Sequence, residues 1–180
     1  MKPHFPPFGN DTVRLRLLQE ADLPLTRQWR NQDNVRIWFK DTSVLEPEQH
    51  QRWFERYRQK DDDFVFIVEA EGRPVGQAAV YGIDWQVRIG EVGRFLAAPE
   101  ARGKGFVGAA CGHLIRFCRE TLRLRSVFLE VKENNERAID IYARNGFREE
   151  RRGKGLIRMS CDLERRDARE ENSSNATVVK

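Results

Sequence analysis

The chain has 180 residues, 32 Lys and Arg against 28 Asp and Glu, a formal net charge of +4 and 39% hydrophobic residues. That length suits one domain with one sizeable core, and the 11 Phe and 4 Trp argue against a disordered chain. The basic residues are interspersed with acids, with no Arg-Gly tract, zinc-finger spacing or aromatic RNA-binding signature, which argues against nucleic acid as the main partner.

In chain order, Val13-Arg14-Leu15-Arg16-Leu17 alternates apolar and basic residues like a strand. Asp22 is placed to cap a helix with Pro24 in its first turn and Trp29 near its end. Pro47 starts a second helix in which His50, Trp53, Phe54 and Tyr57 follow the i, i+3, i+4, i+7 spacing of a buried stripe. By the same periodicity Trp29, Trp53 and Phe54 are core residues before they are ligand contacts.

Residues 64–69 and 75–81, separated by Ala70-Glu71-Gly72-Arg73, read as consecutive antiparallel strands, and residues 87–96 as another. A glycine-rich loop over residues 98–105 precedes a helix over residues 107–119. Then come a strand at 126–131, a short helix at 135–144 stopped by Gly146, and strands at 147–150 and 156–163 joined by the turn Arg151-Arg152-Gly153-Lys154-Gly155. Elements of both kinds alternate irregularly, so the expected unit is one domain over residues 11–164 with a polar, disordered tail over 165–180.

Cys111, Cys118 and Cys161 lack paired spacing and a neighbouring His cluster, so they are expected to be reduced core residues, with no metal site. No run approaches the roughly 20 apolar residues of a membrane span, and the start lacks the apolar run of a secretory signal. A cytoplasmic enzyme is the simplest expectation.

Arg102-Gly103-Lys104-Gly105-Phe106-Val107-Gly108 carries the most chemistry. Glycines let the backbone approach a ligand, and the following helix start presents unpaired N–H groups of positive polarity, a setting for phosphate. The same residues also fit a tight surface connection. They do not spell a P-loop, lacking its Gly-Lys-Ser or Gly-Lys-Thr ending, nor a dinucleotide fingerprint.

Taken with Asn135-Glu136-Arg137-Ala138-Ile139-Asp140-Ile141-Tyr142-Ala143-Arg144-Asn145-Gly146-Phe147, in that order around a strand, the loop resembles the GNAT N-acetyltransferase superfamily. The likeness spans residues 13–163. It implies an α/β (α+β) fold with a mixed, mostly antiparallel central sheet flanked by helices, acetyl-CoA as cosubstrate, and direct attack of a primary amine on the thioester.

By that resemblance Arg102, Gly103, Lys104, Gly105 and Gly108 bind the coenzyme pyrophosphate. Val107 departs from the pattern, because relatives carry Gly or Ala there, and it puts a shifted helix start in prospect. Backbone groups of Phe95, Leu96 and Ala98 bind the pantetheine arm, and the Leu96 N–H donates to the acetyl oxygen. Asn135 holds the arm or shapes its channel, a role compatible with capping its own helix.

Tyr142 matches the family's general acid for the departing thiol; periodicity alone equally describes a tyrosine packed on the sheet. Glu91 is the candidate base, water positioner or attractor of a cationic amine, and is otherwise a solvated strand residue. Glu133 is a second acid near the sheet edge. A thiol nucleophile is unnecessary, because the thioester is already activated.

Trp29-Arg30-Asn31, with His50 and Trp53-Phe54, is similar to acetyltransferases of nucleotide-linked amino sugars, with ribosomal-protein N-terminal acetyltransferases as the nearby branch. This makes Arg30 and Asn31 candidate acceptor contacts. The basic turn at 151–155 either overhangs the acceptor mouth or is a solvated hairpin. Expected partners are a small-molecule amine, an amino sugar by preference, and a homodimer mate, with neither nucleic acid nor membrane. A noncatalytic acyl-CoA-binding regulatory module is the contrasting reading.

Overall fold

Phe64-Val65-Phe66-Ile67-Val68 is an unbroken apolar run, and in the computed structural model, which describes residues 2–39 and 41–164, it is buried on both faces. It is the centre of β3 (Asp63–Ala70). A strand with two buried faces needs a layer on each side. Phe64, Phe66 and Val68 join Cys111, Leu114, Ile115 and Cys118 of α4 (Phe106–Glu120) in one apolar cluster. Val65 and Ile67 point the other way, onto Leu23 of α1 (Leu23–Arg30) and Phe54 and Tyr57 of α3 (Pro47–Tyr57).

The sheet also contains β1 (Phe8–Gly9), β2 (Val13–Leu17), β4 (Arg73–Asp84), β5 (Ile89–Ala97), β6 (Ser126–Lys132), β7 (Arg148–Gly153) and β8 (Leu156–Asp162). Its 8 strands lie in the order β1-β2-β3-β4-β5-β6-β8-β7. Only β5 and β6 are parallel, so the sheet is mixed and mostly antiparallel. The crossover between them carries α4, which the parallel arrangement requires. A short α5 (Glu136–Arg144) follows β6 and packs Ala138, Ile139 and Tyr142 against the α4 side of the core.

The helix-forming patterns and the strand runs fall where the residue spacing predicts, with differences of physical origin. Arg88 takes φ 59° in the turn before β5, so Val87 and Arg88 leave the strand. The last hairpin turns at Lys154 and Gly155, both at positive φ, as a tight two-residue connection prefers. Arg151 and Arg152 therefore belong to β7, whose exposed, charged residues guard the sheet edge. Asp22 caps α1 by backbone position only, because its carboxylate faces Arg16 at 2.7 Å and the Gln19 N–H at 2.8 Å. A short α2 (Asp33–Arg36), with no apolar stripe to announce it, follows α1.

The three cysteines are buried and reduced, and burial pushes the Cys118 thiol far above its ordinary range, so it supplies no thiolate. Among the described residues no helix is long and apolar enough to cross a membrane. The tail expected over residues 165–180 lies outside the described residues.

Two irregularities open the sheet at its centre. β5 and β6 pair only through Ile89, Gly90 and Glu91, opposite Ser126, Val127 and Phe128, after which both strands continue unpaired to each other. On its other edge β5 carries a bulge, since Gln77 opposes Leu96 and Ala79 opposes Gly93, which leaves Arg94 and Phe95 facing Ala78 alone. Arg94 sits at φ 52° in that bulge, and such a kink re-aims side chains.

Candidate active site

The β5–β6 gap is floored by sheet backbone and roofed by the loop entering α4. Gly103 and Gly105 both take φ +80°, a region open to glycine and costly for other residues. Gly105 is the N-cap of α4, and the first intrahelical bond runs from the Ala109 N–H to the Gly105 carbonyl at 3.1 Å. The amides of Phe106, Val107 and Gly108 thus precede any intrahelical acceptor, at the positive end of a 15-residue helix. Val107 lies within the first turn, and the helix begins at Phe106 with no displaced turn.

This loop lines a cavity of about 370 Å³ together with Phe95, Leu96, Asn135, Ala138, Ile141 and Tyr142. Arg102 borders it and donates to the Gln32 side-chain oxygen at the head of α2. Arg137 joins from α5, a basic group that its helical surroundings concealed in the sequence. Free helix-start amides, paired arginines and an apolar channel beyond them fit an anionic head with a narrow acyl-bearing arm. Lys104 is exposed and does not line the cavity.

The backbone register sorts the strand residues further. The Ala98 N–H donates to the Val75 carbonyl at 2.9 Å and its carbonyl accepts from Ala101, so Ala98 is occupied within the fold rather than in the groove. Antiparallel pairing alternates. With Ala98 bonded to Val75 and Leu96 opposite Gln77, the Leu96 N–H also faces β4, and the Ala97 N–H is the one turned toward the gap. Asn135 combines both foreseen settings: its side-chain oxygen accepts from the Ala138 N–H at 3.3 Å, and it borders the cavity.

Tyr142 stands at the inner end of this groove, its ring 5.6 Å from that of Phe95 and 6.0 Å from that of Phe147. Burial pushes its hydroxyl above the ordinary phenol range, so the proton stays on at neutral pH. Tyr142 and Asn135 also line a second cavity, of about 350 Å³, which continues across β5.

Glu91, Asp41 and Glu130 bring carboxylates to that second cavity. Glu91 Oε1 accepts a 2.8 Å hydrogen bond from the Tyr81 hydroxyl, whose own proton is held more tightly by burial and by that carboxylate. Glu91 is therefore an oriented group rather than a freely solvated one. Arg94 forms a two-pronged pair with the buried Asp63 at 2.7 and 3.2 Å and lies 4.1 Å over the Tyr81 ring. Glu133, by contrast, is exposed and borders neither cavity.

A third cavity, of about 580 Å³, lies between α1, α3 and the β4–β5 surface. Arg30, Phe39, Asp41 and Arg94 line both it and the Glu91 cavity. Arg30 packs over the Phe39 ring at 4.2 Å and donates to the Asp41 carbonyl. Asn31 does not reach this space: its amide donates to the Leu45 carbonyl at 2.9 Å and accepts from the Leu45 N–H at 2.8 Å. It pins the loop before α3 instead. Trp29 and Phe54 are core residues, whereas Trp53 lines the cavity and stacks on His50 and Tyr57.

The basic hairpin lines none of these cavities, since Arg151 faces Glu130 at 3.8 Å and Arg152 faces Glu149 at 2.9 Å. The cover comes from α2 and the Ile37-Trp38-Phe39 segment after it, tied down by Lys132 Nζ donating to the Ile37 carbonyl at 2.6 Å. Tyr81, Arg94, Asp63 and Phe39 are the site groups that the reading of the sequence passed over. Each becomes visible only through pairing across strands or through the bulge, although the short polar span between two aromatic-rich helices marked the cover.

Residues 12–148 match the acetyltransferase (GNAT) domain family. An uncharacterized N-acetyltransferase of Methanocaldococcus jannaschii is 30% identical over 71% of this chain, and the match spans 60% of that relative's length. Spermidine N(1)-acetyltransferase of Escherichia coli strain K12 is 29% identical over 76% of this chain and 73% of its own. The solved spermidine N-acetyltransferase of Vibrio cholerae, in complex with CoA and spermine, superposes with a TM-score of 0.79 at 22% identity, covering 86% of this chain and 98% of that one. The chain therefore belongs to the acetyltransferase (GNAT) domain family, enzymes that draw an acetyl group from acetyl-CoA.

Proposed function

We propose that this chain transfers acetyl from acetyl-CoA to the primary amine of a small molecule, with the amine directed into the Glu91 cavity. The observation that carries the reading is the position of Tyr142, whose side chain walls both the coenzyme groove and the carboxylate-lined cavity. The cosubstrate supplies an acetyl group already activated as a thioester. Arg102, Arg137 and the α4 amides hold its anionic head, and the Ala97 N–H faces the channel where an acyl oxygen would be stabilised.

Tyr142 keeps its proton at the hydroxyl oxygen and gives it to the leaving sulfur. Glu91, fixed by Tyr81, draws the cationic amine in and accepts its proton directly or through one water. The cover formed by Trp38 and Phe39 limits water at the junction. Reduced thiols and this cosubstrate suit a cytoplasmic enzyme.

For the acceptor, an amino sugar linked to a nucleotide remains the preferred class, supported by Arg30 at the cavity wall and the aromatic surface of Trp53. A polyamine is the second reading, favoured by the acids Asp41, Glu91 and Glu130 and by the names of the spermidine-acetylating relatives. A mass-resolved transfer assay with nucleotide-linked amino sugars, free amino sugars, peptide amino termini and spermidine separates them. CoA release that requires an amine supports the activity; its absence across the whole panel overturns it.

A further inference from the structure

The Glu91 cavity accounts for an amine. The larger cavity beside it has the opposite character. Of its charged lining groups, Arg30, Arg52, Arg56 and Arg94 are cationic and Asp41 is the one carboxylate among the described residues. Arg94 is already matched by Asp63, and Arg30 by a backbone carbonyl on one side only. Resting on the acetyl-transfer reading, we infer that the acceptor is bipolar: its amine enters the Glu91 cavity while an anionic group, a phosphate or carboxylate, seats among Arg30, Arg52 and Arg56.

Two buried atoms lack partners at this wall, and they are complementary. Arg30 Nη1 is a donor without an acceptor, and His50 Nδ1 is buried without a partner while His50 is only 8% exposed. Leaving such groups unsatisfied is costly in a folded protein, so they mark a place where a ligand supplies hydrogen bonds. His50 uses its other ring nitrogen on the Leu23 backbone, and burial keeps the ring neutral. Nδ1 is then an acceptor, suited to a hydroxyl, next to an arginine suited to an oxyanion.

Arg52 and Arg56 strengthen the case. They are one turn apart on α3, both exposed, and repel each other unless an anion lies between them. A polyamine reaching from the Glu91 cavity into this space would meet like charge, which selects against it. The shared wall of Arg30, Phe39, Asp41 and Arg94 joins the two cavities, so one molecule can occupy both.

The experiment uses the full chain in two arms. First, acetyl-transfer kinetics compare a hexosamine phosphate, the unphosphorylated hexosamine, an amino acid of similar length and spermidine. The phosphate arm and the carboxylate arm identify the anion. An anionic amine should exceed the neutral hexosamine by about tenfold or more in kcat/KM, and Arg52→Glu with Arg56→Glu should raise its KM about tenfold, the size of one lost charged contact. Preference for spermidine or the neutral amine, unaltered by that double variant, overturns the inference and leaves the transfer reading standing.

Second, inorganic pyrophosphate is titrated calorimetrically into protein saturated with CoA, which fills the donor groove. Binding that weakens about tenfold in the double variant supports the arginine site even if no amine in the panel turns over. No binding, or binding indifferent to the variant, overturns it. Arg30→Gln provides a second test, with the same direction expected and circular dichroism confirming its fold.

Discussion

The Tyr81 hydroxyl donates a 2.8 Å hydrogen bond to Glu91 Oε1, and the two residues are register partners across β4 and β5. A carboxylate fixed by its cross-strand neighbour has a set direction, which a solvated strand residue lacks. The neighbourhood is shaped for it, because a Cβ on Gly93 would come within 2.8 Å of the Tyr81 hydroxyl oxygen. Tyr81→Phe should therefore lower kcat/KM for the amine about tenfold, the scale of one hydrogen bond to a charged group. Gly93→Ala should do the same by displacing the hydroxyl, while the KM for acetyl-CoA stays within twofold by steady-state kinetics.

Tyr142→Phe keeps the ring contacts with Phe95 and Phe147 and removes only the proton. The expected loss is about 100-fold or more in kcat, with coenzyme affinity nearly unchanged. Because burial raises the Tyr142 pKa, its proton is retained through neutral pH. The wild-type rate should accordingly show no alkaline decline from this residue below about pH 10, its unperturbed value. Normal turnover in the variant across a pH series would remove Tyr142 from the mechanism.

Asp63→Asn should destabilise the fold by about 2 to 3 kcal/mol in urea denaturation, because it leaves Arg94 without its counter-charge in a half-buried bulge. The figure lies below that of a fully buried pair, as the Arg94 side chain is 28% exposed. The bulge should relax with it, so catalysis with the amine is expected to fall even at temperatures where the variant stays folded.

His50 links stability to pH. Burial lowers its folded pKa below the unfolded value near 6.5, so the unfolded chain takes up the proton first as pH drops. The contribution is fully present above pH 6.5 and is lost as pH falls toward the folded pKa, with a slope of up to about 1.4 kcal/mol per pH unit. His113 shifts in the same direction from a less buried position. Chemical denaturation between pH 7 and 5 should show the decline, and His50→Gln should flatten most of it.

Gly105→Ala meets no atom within 4 Å, so its only penalty is the φ of +80°. That costs about 1 to 2 kcal/mol, relieved by moving the loop. The expected outcome is a KM for acetyl-CoA raised several-fold with kcat preserved, together with a small fall in Tm. An unchanged KM would dissociate the loop from coenzyme binding.

Much of this architecture is legible in the residues. The alternation of residues 13–17, the stripe from His50 to Tyr57 and the uninterrupted apolar run after Asp63 name their own elements, because each periodicity matches one backbone geometry. The glycine loop was legible for a similar reason: Gly103 and Gly105 occupy backbone space that other residues avoid. Asn31 misled, since an amide beside an arginine at a helix end looks like a ligand contact until its partner, Leu45, is located.

By itself, then, the sequence determined the mixed sheet with its helices, the anion loop at the start of α4 and the tyrosine that follows it on α5. All of these are set by local spacing and by conformational limits within a few residues. Tertiary structure alone decided which strand amide faces the β5–β6 gap, that Tyr81 orients Glu91, and that arginines from α1 and α3 converge on one cavity. Those relations depend on register, bulge position and the packing of distant elements, which place side chains together without any mark in their sequence neighbours.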